Sequence, residues 1–161
     1  MLKKVGVFTV CILALSCDSP FSVDPFTLEK LLSAPEQIQI DSRSYRLEAS
    51  LWRDFMPSCP PDGKPLTALI LVTAIDQLPF PANVDADKLW IINGQQVWET
   101  EFSDEEIVQD PNRRHQLEKV ARDGPKWGPD IYVEVVVKVK NYNNSNSYLL
   151  RASNQYIGAT Y

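Results

Sequence analysis

The sequence predicts an all-β domain, an antiparallel β-sandwich of about seven strands with one short helical excursion. Three observations carry that expectation. Apolar residues recur with period two in several short runs, first at Ile38 and Ile40 and then at Tyr45, Leu47, Ala49 and Leu51. Twelve prolines and six glycines interrupt the chain between those runs, as turns do between short strands. Asn93-Gly94 stands between two apolar runs, a strong local signal for a two-residue hairpin.

Ahead of this domain lies a segment of another kind. Lys3 and Lys4 precede a mostly apolar run from Val5 to Leu15, well short of the roughly 20 residues that a permanent membrane helix needs. This is the pattern of an export signal, here residues 1–16, that is cleaved off. Small residues at Ala14 and Ser16 set the cut between Ser16 and Cys17. Ala14-Leu15-Ser16-Cys17 resembles the lipobox of bacterial lipoprotein precursors, although that family prefers Leu where Ala14 stands and a small residue where Leu15 stands. The resemblance implies that Cys17 becomes the first residue and carries lipid on its sulfur, which would hold the protein at a membrane of the cell envelope. Residues 17–36 then form a lipid-anchored tether. It ends in a short helix, with Thr27 as N-cap, Leu28, Leu31 and Leu32 at helical spacing, and Pro35 as the stop.

Residues 37–161 are one domain's worth of chain, enough to bury a core without staples. From Cys17 onward 14 basic side chains face 21 acidic ones, a formal balance of −7. Such a surface offers nothing to nucleic acid or to an anionic membrane. Cys11 leaves with the signal, so the mature chain keeps Cys17 and Cys59. With lipid on Cys17, Cys59 is a lone thiol; without it, the two could pair in an oxidising compartment. Neither case supplies a disulfide framework.

Along the domain, Gln37 to Ile40 and the alternating run to Trp52 read as two antiparallel strands joined at Asp41-Ser42. Met56 to Lys64, with Pro57, Pro60, Pro61 and Asp62-Gly63, is a surface loop. Leu66 to Ile75 is the most apolar run of the mature chain and rich in β-branched residues, which predicts a central strand covered on both faces. A type I′ turn at Asn93-Gly94 would set Trp90 opposite Val97 on one face and Leu89 opposite Trp98 on the other. Asp110 and Pro111 open a helical segment that runs to about Asp123-Gly124. Ile131 to Lys140 is a long strand with Glu134, Lys138 and Lys140 on one face, and Tyr148 to Ala152 returns beside it. Asp130-Ile131-Tyr132 resembles the start of the penultimate strand of immunoglobulin-like domains, where a tyrosine closes a corner. The paired Cys and core Trp of antibody domains are missing, so the likeness is one of architecture.

Candidate chemistry is sparse. Cys59 and His115 are a pairing that could make a nucleophile and base, but a loop thiol and a solvent-facing helical histidine explain both more simply. Asp76, Asp85, Asp87 and the stretch Asp104, Glu105, Glu106 and Asp110 could offer oxygen ligands to calcium, yet their spacing matches no calcium loop and reads as a solvated acidic face. Phosphate-loop, HExxH, CxxC and GxSxG patterns are missing; no catalytic residue, metal or cofactor is assigned. Lys126 and Trp127, in the rigid turn Pro125 to Pro129, are the candidate binding loop, with a plug for the open end of the sandwich as the plainer reading of Trp127. These readings converge on a non-catalytic envelope lipoprotein that binds a protein or glycan, with membrane contact through its lipid. The alternative is a soluble secreted ligand-binding or inhibitor module without lipid.

Overall fold

The computed structural model describes residues 25–103 and 110–161. The expected export signal (residues 1–16), Cys17, and Asp104, Glu105 and Glu106 of the acidic stretch lie outside the described residues. A short helix α1 (Pro25–Leu32) comes first, then β1 (Gln37–Ile40), β2 (Arg43–Asp54), β3 (Leu66–Ala74), β4 (Val84–Asn93) and β5 (Gln96–Glu101). A single 3-10 turn, Pro111–Arg113, leads to β6 (Gln116–Gly124), β7 (Ile131–Asn141) and β8 (Asn146–Thr160).

The all-β expectation holds, and the strands join into one sheet in the order β5-β4-β7-β8-β2-β3-β6, with β1 added on β2. Every pair is antiparallel except β2 with β8, which run parallel from Leu51 opposite Ile157 to Asp54 opposite Thr160. The sheet is therefore mixed where a purely antiparallel one was expected. It curls until its two ends approach. The Ser103 amide donates to the Val120 carbonyl at 2.8 Å, and Lys119 on β6 pairs with Asp85 on β4 at 2.8 Å. Gly124 lies under the Trp98 ring, where a Cβ would come within 2.7 Å of it. The two halves of the sheet thus face each other like the layers of a sandwich, while one ladder runs through both.

Curling makes an inside and an outside. The inside takes Leu47, Leu51, Ile70 and Val72 from one half and Leu89, Ile91, Val135 and Val137 from the other. Outside, Leu28, Leu31 and Ala34 cover Trp90, Ile92, Val97 and Val136. This second contact explains why Leu89, Trp90, Ile91 and Ile92 are apolar without a break: β4 is buried on both faces there. Leu66 to Ile75 had been expected in that role. In β3 the inward Leu66, Ala68, Ile70 and Val72 are fully buried, but the outward Leu69 and Leu71 stay half-exposed.

Three local expectations are corrected. The helix foreseen from Asp110 stops after one turn. Its cap forms, with Asp110 Oδ1 accepting from the Asn112 amide at 2.9 Å, but Gln116 to Gly124 then pair with β3. Ladder bonds and the burial of Val120 and Ala121 outweigh the helix propensity of that stretch. The β4–β5 hairpin turns one residue later, at Gly94 and Gln95, with Ile92 opposite Val97, Ile91 opposite Trp98 and Trp90 opposite Glu99. Gly94 has φ +61° and neither neighbour has a positive φ, the pattern of a type II′ turn with glycine first. Finally, Tyr132 closes no corner: it is 64% exposed and its ring lies against Tyr156.

Candidate functional site

The β2–β3 loop, the β6–β7 loop and the last residues of β8 meet at one end of the curled sheet. Arg53 binds them together. It continues the inward period of Leu47, Ala49 and Leu51, and it is buried to 4% exposure. Its guanidinium donates to the carbonyls of Lys64 (3.0 Å), Lys126 (3.2 Å), Gly128 (2.8 Å) and Asp62. The Phe55 ring packs 4.8 Å from it. A buried cation thus meets carbonyl oxygens from both loops in place of water.

Asp54 supplies a second knot. Its carboxylate accepts from the Met56 amide at 3.0 Å and pairs with Lys64 at 3.1 Å, and Thr160 reaches it at 3.3 Å. The Met56 amide and then Lys64 hold its pKa down at about 2. Lys126 bridges the loops on the outside through Asp62 at 2.5 Å, and this lysine draws the Asp62 carboxyl below its ordinary range. Trp127 is half-buried and packs against the inner core. Of the two residues singled out in the sequence, Lys126 is therefore exposed but engaged with Asp62, and Trp127 contributes to the end of the core.

What remains open at this end is aromatic. Tyr132 and Tyr156 sit opposite each other on β7 and β8, facing outward, with ring centroids 5.4 Å apart and planes at 51°. Tyr156 is 48% exposed, and its hydroxyl hydrogen-bonds Asp130. That bond, with burial and the neighbouring Asp130 charge, raises the phenol pKa. Tyr161 stacks on Phe55 at 5.8 Å. Beside Tyr132 a depression of about 290 Å³ is lined by Glu134, Asn154 and Gly94. Glu134 is fixed there by Arg151 at 2.9 Å and by the Asn154 amide at 3.2 Å.

The other sequence candidates do not converge. Cys59 lies in the loop before β3, and His115 pairs through its carbonyl with Ala74 at the far end of the same strand. A nine-residue strand separates them by about 25 Å, so they assemble no dyad. Asp76 pairs with Arg43 at 2.7 Å, Asp85 with Lys119, and Asp87 with Lys138 at 3.0 Å and with Lys140. Burial pushes the Asp87 carboxyl up, but the two lysines together hold it below its usual range. Among the described residues no cluster of three His, Cys, Asp or Glu side chains could hold a metal ion.

Arg53 and the Tyr132–Tyr156 pair escaped the sequence reading. A signal for Arg53 was present, a charged residue at a core-facing position of an alternating run. For the tyrosines there was none, because their pairing depends on a register between β7 and a part of β8 that the sequence reading left outside any strand. No protein-family model, no curated protein and no solved structure matches the chain.

Proposed function

We propose that the protein is a non-catalytic exported lipoprotein of the bacterial cell envelope, held by lipid on Cys17, whose β-domain binds a ligand through the aromatic end of the sheet. The observation that carries the binding half is Tyr132 and Tyr156, large and exposed on strands whose neighbouring loops Arg53 and Asp54 make rigid. Exposed rings on a rigid scaffold lose little entropy on contact, so they serve recognition better than packing. The tether half is supported by the leader and by Cys17 at its cut. Among the described residues no helix is long and apolar enough to cross a membrane. Neither nucleic acid nor a cofactor has a part in it.

Fractionation tests the tether. Cys17→Ser is expected to move the protein from the membrane fraction to the soluble one. Continued detergent-dependent partitioning of the variant would overturn the tether, as would a native mass without an acyl group and a Cys59 that no longer titrates as a thiol.

A further inference from the structure

The character of the aromatic end narrows the class of ligand. Tyr132 and Tyr156 offer two ring faces at 51° to each other, a stepped surface rather than a flat patch. Around the rings stand hydrogen-bonding groups: the Asp130 carboxylate at one side, and Glu134 and Asn154 in the depression at the other. At about 290 Å³ that depression is at the lower end of the volumes that hold small ligands, roughly 300–1,000 Å³. The charged groups at its rim have partners already. Glu134 is bound by Arg151 and keeps lone pairs free to accept more bonds. Lys126, the nearby cation, is taken by Asp62.

A protein partner would ask for a contiguous apolar centre. Here the two touching rings are bordered by polar groups, the Asp130 carboxylate on one side and Glu134 and Asn154 on the other. An anionic polymer would meet Asp130 and Glu134 and a chain with a formal balance of −7 from Cys17 onward, and like charges repel across such a face. A pyranose ring has the complementary form: a C–H face that lies on an aromatic ring, and an edge of hydroxyls that donate to carboxylates and amides. We propose that Tyr132 and Tyr156 are the stacking platform of a binding site for a neutral saccharide chain, with Asp130, Glu134 and Asn154 accepting and donating hydrogen bonds along its edge. Successive sugar units along such a chain are turned relative to one another, which suits two tilted rings. This assignment rests on the ligand-binding reading above and deepens it.

The test uses the native lipoprotein in detergent and calorimetric titration with cellohexaose, chitohexaose, mannohexaose and maltohexaose, with heparin as the anionic comparison. At least one neutral hexasaccharide should bind. Tyr132→Ala and Tyr156→Ala should each weaken it about tenfold or more, Tyr132→Phe should restore binding close to the parent's, and Tyr142→Ala, also exposed but on the loop after β7, should leave it unchanged. Absence of binding to all four, alanine variants that bind like the parent, or preference for heparin would each overturn the assignment. If no saccharide binds but an envelope protein crosslinks to the parent and not to Tyr132→Ala, the saccharide assignment falls and the ligand-binding reading survives. If neither occurs, both fall.

Discussion

Arg53 sits where an alternating strand would place a leucine. The four carbonyls it serves belong to Asp62, Lys64, Lys126 and Gly128, and without its donors they would be left unsatisfied between two loops. Arg53→Ala is therefore expected to cost about 3 kcal/mol or more in urea unfolding. Arg53→Lys should recover a part of that, because a point ammonium cannot span the positions a planar fork reaches. An unchanged midpoint for the alanine variant would show that water replaces the guanidinium without loss. Asp54 gives a pH signature. Its folded pKa of about 2 lies below the ordinary 3.8, so it contributes stability above that ordinary value, and the contribution disappears as pH falls from about 4 to about 2. Thermal melts should show a Tm that declines over this window in the parent and declines less in Asp54→Asn. Equal slopes would remove Asp54 from the acid response.

The β4–β5 hairpin shows how far local chemistry reads through to structure. A glycine between apolar runs announced a tight turn, and the two faces came out as expected: Trp90, Ile92 and Val97 outward under α1, Leu89, Ile91 and Trp98 inward. The cross-strand partners shifted, because glycine needs a positive φ only at the first turn position of a type II′ loop, while the assumed I′ turn needs two. Gly94→Val makes the dependence measurable. A Cβ at Gly94 has no heavy atom within 4 Å, so the cost falls on the backbone, on the order of 1–2 kcal/mol. A melting temperature equal to the parent's would mean that the turn tolerates a β-branched residue at φ +61°. The segment from Gln116 to Gly124 shows the opposite limit. Its Leu, Glu, Lys and Ala suit a helix, and Asp110 with Pro111 provides a real cap. What decides for a strand is β3 alongside, a neighbour more than forty positions away in sequence, and no local pattern contains it.

The parallel contact between β2 and β8 is the least legible feature of the whole molecule. In the sequence the alternation ends at Ala152, since Ser153, Asn154 and Gln155 are all polar, and in the structure Asn154 adopts a positive φ of 57°. The structure carries the strand past this irregularity, where the β7–β8 register shifts, and sets Ile157 at 0% exposure between the two halves. A chain ending at Asn154 would lose that residue, the β2–β8 bonds, and the carbonyl of Thr160 that accepts from the Phe55 amide at 2.8 Å. It should lack a cooperative thermal transition. A sharp two-state melt would show that the curl holds without the part of β8 that joins β2. Strand order has a further meaning in time. β2 is among the first parts of the domain to leave a ribosome or a translocation pore, and β8 is the last, yet they are neighbours in the middle of the sheet. Until β8 arrives, β2 and β7 keep the open edges that it joins. The native sheet cannot close until β8 is available, and loop closure between strands so far apart in sequence delays it. On the export route proposed above, this delay would be an asset: a thread still without β8 could not lock into its fold on the wrong side of the membrane.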